Sequence, residues 1–163
     1  MSHVALVDVI IKDLDAVELA CEDLGVLELI RNQPRFNWYG RWVNDYGKED
    51  AAYRLGLDAS EYGRCDHVIR FKDQRSDEYE VGLVPVSMLK NPDGTAKYPG
   101  QTGWVPVYDF FGNGARYKKA FGQGLEKLIQ AYGVNAAMRW AIMKGKTIQK
   151  HTDANGTVHI VAQ

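Results

Sequence analysis

The chain has 163 residues, of which 45% are hydrophobic and 25% are charged, and this length and composition fit one domain with its own core. No segment approaches the roughly 18 uninterrupted apolar residues of a membrane span, and the start of the chain carries no basic leader. We therefore expect a cytoplasmic protein without membrane insertion. With only two cysteines, Cys21 and Cys65, the sequence excludes a disulfide framework and a zinc site made of cysteines alone.

Charge is unevenly distributed along the chain, although the formal net charge is −1. Residues 1–110 carry 12 basic and 19 acidic side chains, whereas residues 111–163 carry 8 basic and 2 acidic side chains. A basic C-terminal third can meet phosphates or an acidic partner, or it can complement the acidic part of the same molecule.

The first part of the chain predicts a strand, a helix and two further strands. Residues 4–11 are rich in β-branched side chains. Residues 14–24 repeat apolar side chains at helical spacing, between the capping residue Asp13 and the helix-ending Gly25. Further strands are predicted at 26–30 and 38–43, followed by a polar loop at 45–63.

The middle of the chain predicts three strands and an excursion. Residues 67–71 and 79–86 read as an antiparallel pair, and residues 104–111 as another strand. Between them, residues 90–103 predict an exposed excursion, because the segment contains the turn Asn91-Pro92-Asp93-Gly94.

The last part of the chain predicts a long helix and a hairpin. Residues 120–144 repeat apolar side chains along one face, and this stripe includes Trp140 and Met143. Gly133 interrupts the pattern and marks a kink, a close backbone contact or a division into two helices. Residues 147–161, with a turn at 153–156, predict a β-hairpin.

This order of elements predicts an α+β fold. Parallel pairing would need a crossover helix between strands, and the central strands follow one another without helices. We expect a mainly antiparallel sheet with two helices packed on one face and a C-terminal β-hairpin.

The run Trp38-Tyr39-Gly40-Arg41-Trp42 is a candidate binding surface. In a strand its rings occupy both faces, so at least one of Trp38, Tyr39 and Trp42 is expected to be partly exposed. An exposed ring beside Arg41 can stack on a base, a nucleotide or a partner's side chains. The alternative is an aromatic core strand with Arg41 in a salt bridge.

The segment 63–70 invites a catalytic interpretation, because the thiol of Cys65 lies near the imidazole of His67 in sequence. In an extended chain, however, these side chains are roughly 6–7 Å apart, which is too far for a hydrogen bond. The histidines His3, His67, His151 and His159 could form a metal site only if folding brought them together, and a structural role is favoured. Recognition is the favoured role for Arg64, Asp66, His67 and Arg70.

The segment 112–119 places glycines and cations before a predicted helix, where an anion can bind. Arg116, Lys118 and Lys119 supply the charge. The segment matches neither the Walker loop nor the dinucleotide fingerprint, and the alternative is a connector with solvated basic residues.

Several motifs, in a fixed order along nearly the whole chain, carry a family resemblance. They are the start Met1-Ser2-His3, the helix that ends in Leu24-Gly25, the run 38–42, the segment 63–70, Tyr79-Glu80-Val81-Gly82, Trp104 with Tyr108-Asp109-Phe110, and Leu128-Ile129-Gln130-Ala131-Tyr132. The chain resembles the uncharacterised family that includes the plastid protein called hypothetical chloroplast reading frame 35, with relatives in cyanobacteria, other bacteria and phages. Bacterial members are encoded near AAA-type ATPases, so the resemblance implies an accessory or adaptor role.

The leading hypothesis from the sequence is a small non-catalytic binding or adaptor protein that needs no cofactor. Its partner would be a protein, with an AAA-type ATPase as the candidate, bound through the aromatic and arginine residues of 38–42 and 64–70. The alternative is a nucleotide or nucleic-acid binding protein that uses this surface together with Arg116, Lys118 and Lys119. A weaker alternative is an enzyme that uses Cys65 and His67.

Overall fold

The computed structural model describes residues 4–38, 61 and 63–163. In this part of the chain the strands are β1 (Val4–Leu6), β2 (Leu27–Arg31), β3 (His67–Phe71), β4 (Val81–Pro85), β5 (Trp104–Asp109), β6 (Ile148–Thr152) and β7 (Val158–Ala162). The α-helices are α1 (Leu14–Leu24), α2 (Ala115–Phe121) and α3 (Glu126–Met143). Apart from Trp38, the strand predicted at 38–43 lies outside the described residues.

Five strands form one antiparallel sheet in the order β1-β5-β4-β3-β2. Strands β6 and β7 form a separate antiparallel hairpin. The predicted α+β class, with an antiparallel sheet and a C-terminal hairpin, is therefore confirmed. In the central strand β4, residues 81–84 are all buried, because both faces of the sheet are covered.

Three helices take part in the core on one face of the sheet. Helix α1 begins where the Asp13 carboxylate accepts hydrogen bonds from the backbone N–H groups of Asp15 and Ala16, and it ends at Gly25, whose φ is +76°. Its residues Ala16, Val17, Ala20 and Cys21 are buried in this core. Cys21 is thus a core residue.

A third, short helix, α2, directly precedes α3 in the chain. Its residues Tyr117 and Phe121 are buried in the same core. The break between α2 and α3 comes at residues 122–125, where the Tyr108 hydroxyl donates a hydrogen bond to the carbonyl of Gln123 at 2.5 Å. Gly133, which the sequence marked as a kink or a break, lies inside α3 with open space around it.

The other face of the sheet carries a second apolar core. Phe36, Val84 and Leu89 are among its buried residues, and Gly82 of β4 leaves room for the Phe36 ring, which a Cβ at that position would overlap. Leu89, which is 0% exposed, directly precedes the predicted excursion, and residues 90–103 themselves are exposed or half-buried. None of the helices in the described part of the chain has both the length and the apolar content needed to cross a membrane.

Candidate functional site

The predicted aromatic and arginine surface is only partly described by the structure. Tyr39, Arg41 and Trp42 lie outside the described residues. Trp38 is half-buried against the second core, and its indole lies so close to Gly63 that a Cβ there would overlap the ring. Trp38 therefore contributes at least part of its ring to packing.

The predicted arginines that the structure describes are held in ion pairs. Arg64 pairs with Glu61, and the Arg70 Nε donates to Glu28 Oε1 at 2.7 Å across the β2–β3 pair. Arg116 pairs with Asp73 Oδ1 at 2.7 Å, and its guanidinium lies 3.7 Å from the Phe71 ring centroid. An external ligand would have to compete with these intramolecular partners.

The predicted anion site before α2 is not formed as expected. Helix α2 has only seven residues, and Gly114 packs so closely on the carbonyl of Asp109 that a Cβ there would overlap it. Lys118 Nζ lies 5.3 Å from the Phe110 ring centroid, and Lys119 is exposed. These lysines offer positive surface charge rather than a built phosphate cradle.

Asp66 and His67 are consecutive residues at the start of β3, at the opposite end of that strand from Arg70. The Trp104 indole N–H donates to Asp66 Oδ2 at 2.8 Å, and the His67 ring packs edge-on against Trp104 with 5.0 Å between centroids. The backbone N–H of Asn32 donates to His67 Nδ1 at 3.0 Å. Burial lowers the pKa of His67, so the ring is neutral at pH 7 with its proton on Nε2.

Cys65 lies beside His67 in a cavity of about 290 Å³ but is not activated by it. The Cys65 thiol donates to the carbonyl of Gln33 at 3.2 Å, while His67 Nδ1 is already occupied by Asn32. Burial raises the pKa of the Cys65 thiol to about 12, so the reactive thiolate is scarce near pH 7. Within the described residues, no group of three or more His, Cys, Asp or Glu side chains could hold a metal ion.

Glu80 is a buried carboxylate that no sequence pattern indicated. It is 2% exposed and accepts hydrogen bonds from the Asn37 backbone N–H at 2.8 Å and from the Gln74 amide at 3.2 Å. The Gln33 amide donates to it at 3.3 Å. Glu80 thus fixes the 33–37 segment against β4, and its role is to shape the second face of the sheet.

The most exposed apolar side chains near one another in sequence lie at the C-terminal end of α3. Trp140 is 58% exposed, Ile142 is 63% exposed and Met143 is 70% exposed. We call these three residues the apolar end of α3. Trp140 and Met143 belong to the predicted apolar stripe of this helix, but the core does not cover them.

The reason for this exposure is the unequal length of the packed helices. Helix α3 has 18 residues and spans roughly 27 Å, whereas α1 has 11 residues and spans roughly 16 Å. Arg139 of α3 donates to the carboxylates of Asp13 and Asp15 at the N-terminal end of α1. Of the α3 residues that follow this contact, Ala141 is buried, whereas Trp140, Ile142 and Met143 are exposed.

Comparisons with protein-family models, curated proteins and solved structures found no match. The family resemblance and the partner that it implies therefore stay predictions.

The surroundings of the apolar end are basic. Residues 127–152 contain no Asp or Glu, and their cations are Lys127, Arg139, Lys144, Lys146 and Lys150. Arg139 is paired with Asp13 and Asp15. No ion pair is formed by the four lysines within the part of the chain that the structure describes. Lys144 and Lys146 follow the apolar end directly in sequence, so positive charge adjoins this exposed apolar surface.

Proposed function

We propose that this protein is a small cytoplasmic binding module without catalytic activity, which engages a protein partner through the apolar end of α3. The observation that carries the proposal is the exposure of Trp140, Ile142 and Met143 on a helix that passes the end of its packing partner. Tryptophan and methionine are enriched at protein interfaces, and exposed apolar clusters mark such sites.

Charge favours an acidic partner surface around the apolar contact. Lys144 and Lys146 follow the apolar end directly in sequence, and residues 127–152 contain no acidic side chain that could compensate them. Complementary charge speeds association and rejects basic competitors. An AAA-type ATPase is the partner class that the family resemblance suggests.

The aromatic and arginine surface predicted from the sequence is a less favoured contact. Its described arginines, Arg64 and Arg70, already have carboxylate partners, so binding through them would have to replace existing ion pairs. The apolar end of α3 requires no such exchange.

The test is affinity purification with Trp140→Ser and Met143→Ser as separate variants. Both residues are exposed, so each variant should retain its stability to within about 0.5 kcal/mol while partner recovery falls about tenfold or more. The matched control is Val161→Ser, since Val161 is 48% exposed on the hairpin, away from α3 in sequence. A partner identified by mass spectrometry is then purified and titrated directly, and equal affinity for all three variants would contradict the proposal.

The exposed Lys118 and Lys119 favour nucleotide or nucleic-acid binding as a second candidate function. Binding of a labelled single-stranded oligonucleotide should then weaken steeply between about 50 and about 200 mM salt. Lys118→Ala and Lys119→Ala should reduce both the affinity and the salt slope. An affinity that does not change with salt would exclude this function.

A further inference from the structure

A groove of about 540 Å³ lies between α3 and the C-terminal hairpin, and the α3 residues that line it belong to 127–134, whereas the apolar end lies at 140–143. Its apolar lining comes from Leu24 at the end of α1, from Ala131 and Val134 of α3, and from Val158 of β7. Ligand sites typically have volumes of about 300–1,000 Å³ and a mainly apolar lining with a few polar groups. The groove has both properties.

The hairpin that forms one wall is fixed to the helix that forms the other. The Gln130 side-chain amide of α3 donates to the carbonyl of Gly156 in the hairpin turn at 3.2 Å. The turn is itself closed by Asp153, whose carboxylate accepts from the backbone N–H groups of Asn155 and Thr157, both at 2.9 Å. The two walls are therefore held at a defined separation.

Lys150 occupies an unexpected position on the hairpin. The strand register pairs Lys150 with Ile160 and Thr152 with Val158, which puts these four residues on one face. This face is the one towards α3, because Val158 and Ile160 are half-buried while the neighbouring His159 and Val161 are exposed. A lysine therefore replaces the apolar residue that alternation would place in the groove wall.

The charges that line the groove are those of Lys127, Lys150 and Asp23. Neither lysine forms an ion pair within residues 4–38, 61 and 63–163. The Asp23 carboxylate accepts a hydrogen bond from the Asn135 amide at 2.7 Å. Two cations and one anion leave a net positive lining above an apolar floor.

We propose that this groove binds a small organic anion with an apolar body, such as a medium-chain carboxylate. The anionic group lies with Lys127 and Lys150, and the hydrocarbon covers Leu24, Ala131, Val134 and Val158. Burial of the hydrocarbon supplies most of the affinity, and the two lysines select an anion over a neutral compound of the same length.

The experiment uses the full chain and three probes, namely octanoate, octanol and acetate, titrated by NMR of backbone amides. Octanoate should bind saturably and shift the amides of α3 and of the hairpin. Octanol should bind about fivefold more weakly or worse, because it lacks the charge, and acetate should not saturate, because it lacks the apolar body. Equal binding of octanoate and octanol, or no saturable binding of octanoate, would overturn the proposal.

Variants locate the site. Lys127→Met and Lys150→Met should each weaken octanoate binding about fivefold and leave octanol binding unchanged. Lys144→Met is the matched control, since Lys144 lies just past α3 and does not line the groove. Ala131→Trp fills the floor and should abolish binding of octanoate. An equal loss in the Lys144 variant would show unspecific charge attraction and would also overturn the proposal.

Discussion

At the scale of single residues, the surroundings of His67 determine its protonation, and the packing of Phe36 requires a glycine at position 82. His67 accepts a backbone hydrogen bond on Nδ1 and packs on Trp104, so a residue that the sequence offered as a catalytic base acts as a neutral core histidine. The Phe36 ring takes the space of an absent side chain at Gly82. Both positions give predictions about stability.

The stability of the protein should fall in mild acid because of His67. Burial lowers its pKa in the folded state below the ordinary value of about 6.5, so the unfolded chain binds more protons as the pH falls. The free energy of unfolding should therefore be steady above about pH 6.5 and decrease below it. Urea titrations between about pH 5 and 7 measure this change. His67→Gln should have a lower free energy of unfolding at neutral pH, and that free energy should change less with pH than in the parent. An unchanged slope in the His67 variant would contradict this origin.

Gly82→Ala should destabilise the protein by about 1–3 kcal/mol, because its Cβ overlaps the buried Phe36 ring. Thermal and urea unfolding measure the loss. Gly133→Ala is the matched control, since Gly133 lies inside α3 with nothing nearby, and it should stabilise by about 1 kcal/mol through helix propensity. If both variants are equally stable, the close approach at Gly82 is wrong.

At the scale of elements, the cap of α1 serves two purposes. Asp13 accepts the first backbone N–H groups of α1, and the same carboxylate accepts from Arg139 Nε at 2.7 Å. One side chain thus starts one helix and ties it to another.

Asp13→Ala should cost about 1–2 kcal/mol, because it removes the N-cap together with the ion pair. Asp13→Asn keeps a capping oxygen and should cost clearly less. Chemical unfolding of both variants, alone and combined with Arg139→Met, separates the two contributions. If Asp13→Asn and Asp13→Ala lose equal free energy of unfolding, the ion pair with Arg139, and not the cap, accounts for the loss.

The elements also show what the sequence can and cannot predict. The helix at 14–24 was predictable because Asp13 and Gly25 mark its ends locally, and β3 at 67–71 because of its β-branched run. The exposure of Trp140 was not predictable, since it depends on where α1 ends against α3. The partners of Cys65 and His67 come from residues 32 and 33, more than 30 positions earlier, and no local pattern signals such a contact.

At the scale of the whole molecule, the sheet separates two apolar cores of different construction. Helices cover one face, whereas the 33–37 segment and residues 86–89, which precede the predicted excursion, contribute to the cover of the other. The excursion predicted at 90–103 is exposed or half-buried, but a turn sequence such as Asn91-Pro92-Asp93-Gly94 says nothing about the buried apolar residues before it.

Leu89→Ala should therefore destabilise the protein by about 2–5 kcal/mol, as expected for a leucine that is 0% exposed. Urea unfolding followed by tryptophan fluorescence measures the change. The adjacent exposed residue provides the control, and Lys90→Ala should stay within about 0.5 kcal/mol of the parent. A small effect at Leu89 would contradict its place in the second core.

The place of β1 in the sheet has a consequence for biosynthesis. Val4 pairs with Asp109, which lies 105 residues further along the chain. At a translation rate of about 5–20 residues per second, β1 leaves the ribosome roughly 5–20 s before its partner strand exists. During that interval the apolar segment around β1 depends on chaperones or on the nascent chain itself for shelter. β1 can therefore join β5 only late in synthesis, after residues 104–109 have been made.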